Sequence, residues 1–282
     1  MENKLNDLTG SQWLYWTNSI YETNFPPDQT FSLRKSHGAM KPPELMADII
    51  SFFTKAGETV LDPFAGVGGT LLGAELSGRK AIGIELNPEW VRVFEKIAAM
   101  FTIRDGRLIV KNADDNHGFT AQIWPGDCLE RMKEIADESI AAVITDPPYG
   151  CNQGRIGFKR ETNFNMTSTD GRDFGSTVDY EAYLAKIKLA GHEIFRILKP
   201  ERYLVLLIGD RFHRGEYLPL GTMVAQTFQE IGFKWKGVKI WWNKATQRPL
   251  KPYAIKNCFI PNITHQNIIV LRKELKNRMK GK

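Results

Sequence analysis

The chain has 282 residues, of which 42% are hydrophobic and 25% charged, enough to bury a core without disulfides and unlike a disordered, fibrous or low-complexity chain. Its net charge of +6 is laid down unevenly: residues 1–150 hold 14 Lys and Arg against 21 Asp and Glu, a net of −7, and residues 151–282 hold 24 against 11, a net of +13. A polar start, apolar runs such as Tyr203 to Ile208 that fall far short of the roughly 20 residues of a membrane span, and three cysteines (Cys128, Cys151, Cys258) without a C-x-x-C pair argue against a secretory signal, a membrane protein, a disulfide framework and a thiolate metal site; a soluble, cytoplasmic protein is expected.

In chain order, apolar spacing predicts a helix over Leu45 to Thr54, a strand over Glu58 to Phe64 that ends in a glycine-rich turn, a helix over Thr70 to Ser77, a strand over Ala81 to Glu85 and a helix over Pro88 to Met100. A hairpin through Leu108 to Lys111 and Ala121 to Trp124 follows, then a helix over Leu129 to Ile135 and a strand over Ile140 to Thr145. Tyr180 to Leu198 is a predicted helix, Tyr203 to Gly209 an apolar strand, Leu218 to Ile231 a helix, and Lys236 to Trp242 and Asn267 to Arg272 the last strands. This alternation predicts an α/β fold, a doubly wound parallel or mixed sheet with helices on both faces. The long polar segment from Gly150 to Val178 reads as a mobile, functional loop.

Val60-Leu-Asp-Pro-Phe-Ala-Gly-Val-Gly-Gly-Thr70 places Gly66, Gly68 and Gly69 at a strand-to-helix turn, where a ligand can approach the backbone and a helix N-terminus favours negative charge. Nineteen residues beyond Gly66, Glu85 ends the next strand, where a carboxylate can accept both ribose hydroxyls of an adenosine-containing ligand. The third glycine of a dinucleotide fingerprint is missing, since Leu71 stands there, so an adenosine ligand without a pyrophosphate fits better than a nicotinamide dinucleotide.

The strand ending at Thr145 runs into Asp146-Pro147-Pro148-Tyr149-Gly150. Consecutive prolines hold the chain extended and leave its carbonyls free. Asp146 and the Pro147 carbonyl can accept the two hydrogens of an exocyclic amino group while Tyr149 stacks on the ring that carries it. Such hydrogen bonds favour the pyramidal geometry that relocalises the amine's lone pair, and the carboxylate stabilises charge developing on nitrogen. A hydrolase triad lacks its G-x-S-x-G, and the five histidines show no ligand spacing, so no metal is expected.

Phe64-Ala-Gly-Val-Gly-Gly69 followed by Asp146-Pro-Pro-Tyr149 resembles the paired signatures of the S-adenosylmethionine-dependent DNA amino-methyltransferases, which modify adenine N6 or cytosine N4. Lys41-Pro-Pro-Glu-Leu45, Gly126-Asp127-Cys128, Leu198-Lys-Pro200 and His265 to Arg272 extend the similarity over about Ser36 to Lys273. The resemblance implies a Rossmann-like class I methyltransferase domain with a mostly parallel seven-stranded sheet carrying one antiparallel strand. It implies S-adenosylmethionine as cofactor, held by Lys41, Pro42, Asp62, Phe64, Ala65, Gly66, Gly68, Glu85, Leu86, Asp127 and Cys128, with Asp146, Pro147, Pro148 and Tyr149 holding the target amine. The organisation expected is an extension over 1–35, one catalytic domain over 36–273 and a basic tail over 274–282.

Between Lys234 and Lys256 seven lysines and arginines occur with no acidic residue, interleaved with Trp235, Trp241, Trp242 and Tyr253, a mixture suited to phosphates and unpaired bases. Within this segment, set at 234–262, Trp242, Lys244, Arg248 and Lys251 are the expected nucleic-acid contacts. Only nine residues follow Lys273, so base reading falls to 150–178, to 242–262, to the first 35 residues, or to a homodimer or separate specificity partner. The family's Asp in the tetrapeptide favours adenine N6 in DNA; cytosine N4, and guanine N2 in RNA, stay open. A non-enzymatic basic nucleic-acid-binding module would be expected to have lost Asp146 or Glu85, and both are present.

Overall fold

Eight strands form one sheet in the order β1-β11-β12-β8-β7-β2-β3-β6, and the chain's own alternation dictates most of it. The computed structural model describes residues 3–115, 117–151, 170–245 and 259–275. The elements are α1 (Gly10–Trp16), β1 (Ile20–Thr23), α2 (Phe31–Arg34), α3 (Pro43–Phe53), β2 (Thr59–Asp62), α4 (Gly69–Leu76), β3 (Lys80–Glu85) and α5 (Pro88–Met100). There follow β4 (Phe101–Arg104), β5 (Arg107–Val110), β6 (Gln122–Pro125), α6 (Cys128–Arg131), β7 (Ile140–Thr145), α7 (Tyr180–Ile197), β8 (Leu198–Ile208), β9 (Arg211–His213), β10 (Glu216–Leu218), α8 (Leu220–Ile231), β11 (Lys234–Asn243) and β12 (Gln266–Arg272).

Strands β8, β7, β2, β3 and β6 are mutually parallel, and β12 runs antiparallel to both of its neighbours. From β2 the chain builds outward through β3 to β6, then returns to lay β7 on the other side of β2. That reversal opens a crevice at the carboxyl ends of β2 and β7, where sheets of this kind bind ligands.

The period-two pattern of the buried strands separates two cores. Leu204, Leu206 and Ile208 of β8 join Ile187, Ile194, Val224 and Phe228 of α7 and α8, while Val205 and Leu207 join Leu45, Ile49, Leu71 and Phe94 of α3, α4 and α5. Each such aliphatic side chain taken out of water contributes about 2 kcal/mol before entropy is counted. Among the described residues, no helix is long and apolar enough to cross a membrane.

Two features differ from the sequence reading. Phe101–Arg104 and Arg107–Val110 form a hairpin with each other, and Gln122–Pro125 instead extends the main sheet parallel to β3; the turn at Asp105-Gly106, with both residues at positive φ, sets that pairing. The eighth strand comes from the N-terminal segment. Ile20–Thr23 pairs in parallel with Ile240–Asn243, and Trp16 stacks on Phe52 with ring centroids 4.0 Å apart. A four-residue strand with one buried position carries too little periodicity to be seen in sequence.

Candidate active site

The glycine turn begins where β2 ends. Asp62 is buried and accepts hydrogen bonds from the Phe64 amide (3.0 Å), the Thr70 hydroxyl (2.5 Å) and the Thr145 hydroxyl (2.5 Å). Burial pushes its carboxyl up to about 6 against those bonds. Asp62, expected to hold the cofactor, thereby joins the glycine turn to the end of β7.

Gly68 adopts a left-handed conformation (φ +79°), and a Cβ there would stand 2.2 Å from the Phe94 ring; no other residue fits the turn without displacement. Gly66 is also left-handed and lies against His37, whose Nε2 would be 3.1 Å from an added Cβ. His37 Nδ1 is buried without a hydrogen-bond partner, and burial with nearby Lys41 and Arg34 lowers this imidazole to about 4, so it is neutral. In sequence His37 is one of five histidines without ligand spacing, and nothing singles it out. A lone histidine in a loop carries no periodic signal, and only its packing on Gly66 marks it.

Glu85 stands at the end of β3 as expected. Its two carboxylate oxygens accept the Gly66 amide (2.8 Å) and the Asn87 amide (2.7 Å), and its carbonyl accepts the Gly126 amide (2.9 Å). One residue thus fastens the glycine turn, the start of α5 and the end of β6. Burial raises its carboxyl to about 7, opposed by the two amide donors. Asp127 caps α6 by accepting the Leu129 amide at 3.0 Å, and the adjoining Cys128 is buried, its thiol pushed up mainly by that burial. Phe64 packs edge-on to Phe174 at 4.9 Å, in the segment that follows residue 169. Ala65 is buried and its amide binds the Ile84 carbonyl at 2.9 Å, while Leu86 and Pro42 are half-buried beside Glu85 and Lys41 in sequence.

At the neighbouring strand end, Asp146 forms an ion pair with Lys41 through Oδ2, and its Oδ1 receives a long 3.3 Å bond from the Tyr149 hydroxyl. Burial raises the Asp146 carboxyl, with Lys41 pulling it back. Tyr149 is pinned from the other side, since Gln266 Nε2 donates to its hydroxyl at 2.5 Å; the antiparallel course of β12 is what brings its first residue to this edge. Gly209, just after β8, lies against the Tyr149 ring, 3.5 Å from Cε2 to the position of an added Cβ. Pro147 is buried and Pro148 half-buried. Arg211 of β9 donates to the Gly150 carbonyl at 3.2 Å and to the Tyr180 hydroxyl at 2.8 Å, which ties the end of the Pro-Pro-Tyr-Gly turn to α7. Arg211 belongs to no motif, and Gln266 falls within the His265 to Arg272 segment without being singled out there as a site residue.

The glycine turn and Asp146-Pro-Pro-Tyr149 therefore stand at adjoining strand ends, with Asp62 bonded to the residue before Asp146. Lys41, expected on the cofactor side, reaches across to the Asp146 carboxylate. The basic segment is less free than its composition suggests. Lys236 bonds Glu274 at 3.1 Å, Lys239 is buried and donates to the Trp16 and Asn18 carbonyls, and Lys244 pairs with Glu22 while lying 5.0 Å from the Trp242 ring. Trp242 is 44% exposed and remains a stacking surface. Arg248 and Lys251 lie outside the described residues, as does most of the 150–178 segment. Among the described residues no three His, Cys, Asp or Glu side chains converge to hold a metal.

The glycine cradle, the Glu85 carboxylate and the buried, unpartnered nitrogen of His37 suit a ligand with ribose hydroxyls at one end and an anionic group at the other, as in S-adenosylmethionine. A family model described as DNA methylase, of the N6/N4 class, matches residues 2–96 and 140–281. The tRNA (guanine(10)-N2)-dimethyltransferase of Methanothermobacter thermautotrophicus is 29% identical over 124 residues, 44% of this chain and 32% of that protein. The type II methyltransferase M.BglI of Bacillus subtilis is 30% identical over 138 residues, 48% of this chain and 38% of that protein. The DNA adenine methyltransferase YhdJ of Escherichia coli K12 is 44% identical over 59 residues, 21% of this chain and 20% of that protein. The matched region spans less than two fifths of each relative's length. With the family model covering most of its length, the chain belongs to the N6/N4 DNA methylase family, and S-adenosylmethionine is its cofactor.

Proposed function

We propose that the protein transfers a methyl group from S-adenosylmethionine to the exocyclic amino group of a base in DNA, with adenine N6 as the target. The observation that carries this reading is the hydrogen bond between Asp62 and Thr145, which sets the glycine turn and Asp146-Pro-Pro-Tyr149 against each other at adjoining strand ends. Held at the glycine turn and Glu85, the cofactor would supply a sulfonium methyl, an electrophilic carbon whose bonding pair the sulfur can take as the amine nitrogen replaces it. Asp146 Oδ1 and the Pro147 carbonyl accept the two amine hydrogens, and Tyr149, held by Gln266, offers its ring to the base. The methylated nitrogen carries the positive charge, so its extra proton is acidic and leaves to water without a strong base. Burial of Asp146 demands that the base leave its stack, at a cost of a few kcal/mol that phosphate contacts offset. Trp242, Lys244, Arg248 and Lys251 are assigned to that nucleic-acid contact.

Asp146-Pro-Pro-Tyr in the family and the similarity to a DNA adenine methyltransferase favour adenine. Similarity to tRNA guanine-N2 enzymes supports the second reading, a guanine amine in RNA. Incubation with radiolabelled S-adenosylmethionine and either DNA or RNA, followed by nucleoside analysis, separates them. Label in N6-methyldeoxyadenosine from DNA is expected. Label confined to RNA guanine overturns the DNA reading, and label in N4-methylcytosine overturns the choice of base. Asp146→Ala is expected to lower transfer at least about 100-fold while cofactor affinity stays within about twofold.

A further inference from the structure

Lys41 stands just before α3, and its backbone lies under the start of α4, with its carbonyl 3.1 Å from where a Cβ on Gly69 would be. Arg34, itself buried and paired with Asp28, donates to that carbonyl at 3.1 Å, so the Lys41 backbone is fixed from both sides. Its side chain then crosses to Asp146 Oδ2, and the two side chains are 9% and 19% exposed. A lysine so shielded and so anchored has little freedom to serve elsewhere. Because Lys41 engages Oδ2, Oδ1 is left facing Tyr149 across the 3.3 Å contact, the weaker of the two carboxylate interactions.

We propose that Lys41 is a positioning residue for the methyl-transfer site, fixing Oδ2 so that an ionised Asp146 presents Oδ1 to the incoming amino group. The inference rests on the amino-methyltransferase reading above. The groups that face Asp146 are Lys41 from the segment before α3, Asp62 at the end of β2, Tyr149 on its own turn and Tyr183 from α7. Of these, Lys41 alone is cationic. Asp62 is an acid and opposes ionisation of Asp146, as burial does, Tyr183 is a neutral phenol, and Tyr149 favours ionisation only through its long 3.3 Å hydroxyl bond, behind Lys41 in effect. A protonated Asp146 would turn one acceptor oxygen into a donor and would lack the negative charge that balances the nitrogen as it is methylated. Of the further charged or titratable groups beside Lys41, Arg34 bonds its backbone carbonyl, and His37 is kept neutral by burial with Lys41 and Arg34 nearby.

The test compares Lys41→Met and Lys41→Arg with the wild-type protein. In the free protein, infrared difference spectroscopy at about pH 8, above the raised carboxyls of Asp62 and Glu85, should show a protonated-carboxyl band in Lys41→Met beyond any in wild type, and the Lys41→Met, Asp146→Asn double variant should lack that added band. Turnover of Lys41→Met should fall about 100-fold near neutral pH and recover about tenfold per pH unit on raising the pH, as a single ionisation requires. Its affinity for S-adenosylmethionine should stay within about threefold by calorimetry. Lys41→Arg should restore ionisation of Asp146 and most of the turnover. The proposal is overturned if the loss is equal at every pH, if cofactor affinity falls in step with turnover, or if Lys41→Met shows no protonated-carboxyl band beyond that of wild type. The infrared measurement needs no substrate, so it decides the Lys41–Asp146 coupling even if the wild-type protein methylates neither polymer, a result that would instead remove the proposed function.

Discussion

Asp62 and Thr145 lie 83 positions apart in the chain and share a 2.5 Å hydrogen bond between buried side chains. The bond spans the point at which strand order reverses, so the cofactor turn and the amine-binding turn are mechanically one unit. Asp62→Ala should cost about 2–4 kcal/mol in urea denaturation, because the Thr70 and Thr145 hydroxyls lose their acceptor in a dry site. Thr145→Val should cost less and lower cofactor affinity and turnover together. A variant that alters one and spares the other would show the two turns to be independent.

Glu85 is expected to set both cofactor affinity and acid dependence. Glu85→Ala should weaken S-adenosylmethionine binding at least about tenfold, the loss of charge-assisted bonds to the ribose, and unchanged affinity in calorimetry would remove that assignment. Its folded-state carboxyl is raised to about 7, above the ordinary 4.5 of an unfolded chain. The folded protein therefore binds this proton more tightly, and the stability it contributes is complete below about pH 4.5 and lost as pH rises through about 7. Asp62, raised to about 6, acts in the same sense. Melting temperatures of the free protein should fall between about pH 5 and about pH 8, and Glu85→Gln should flatten that slope.

Gly68→Ala tests the turn itself. The left-handed backbone costs about 1 kcal/mol for any side chain, and a methyl group 2.2 Å from the Phe94 ring forces α5 to move. A total loss of about 2–4 kcal/mol is expected, with a second substitution, Phe94→Leu, recovering part of it. Absence of any recovery would place the damage in the backbone alone.

Arg211→Met should leave the fold intact and lower turnover about tenfold, since it frees the Gly150 carbonyl and the Tyr180 hydroxyl and lets the amine-binding turn drift. Cofactor affinity is expected to hold. Steady-state kinetics with calorimetry separates this outcome from a general loss of structure.

Sequence alone revealed what depends on local pattern. Pro88–Met100 and Ile140–Thr145 match their predicted bounds because a proline at the first turn and a six-residue buried run are unambiguous signals. Asp146 and Glu85 were found because motif and strand end coincide. What escaped depends on contacts between distant segments. Gln266 and Arg211 act through single hydrogen bonds from β12 and β9, and the crossing of Lys41 to Asp146 joins residues 105 positions apart. Contacts between distant segments also engage part of the basic stretch: the Trp16 and Asn18 carbonyls hold Lys239, and Glu22 pairs with the exposed Lys244.

Those same contacts make the first three dozen residues part of the sheet's perimeter. Ile20–Thr23 is a short outer strand with one buried side chain, and the longer, tryptophan-bearing β11 lies inside it. Truncation before Ser36 would leave that ladder of unpaired amides and carbonyls bare beside exposed Trp242, a template on which other copies could add strands. The peptide paired with β11 thus covers four of that strand's ten residues at the sheet's open edge.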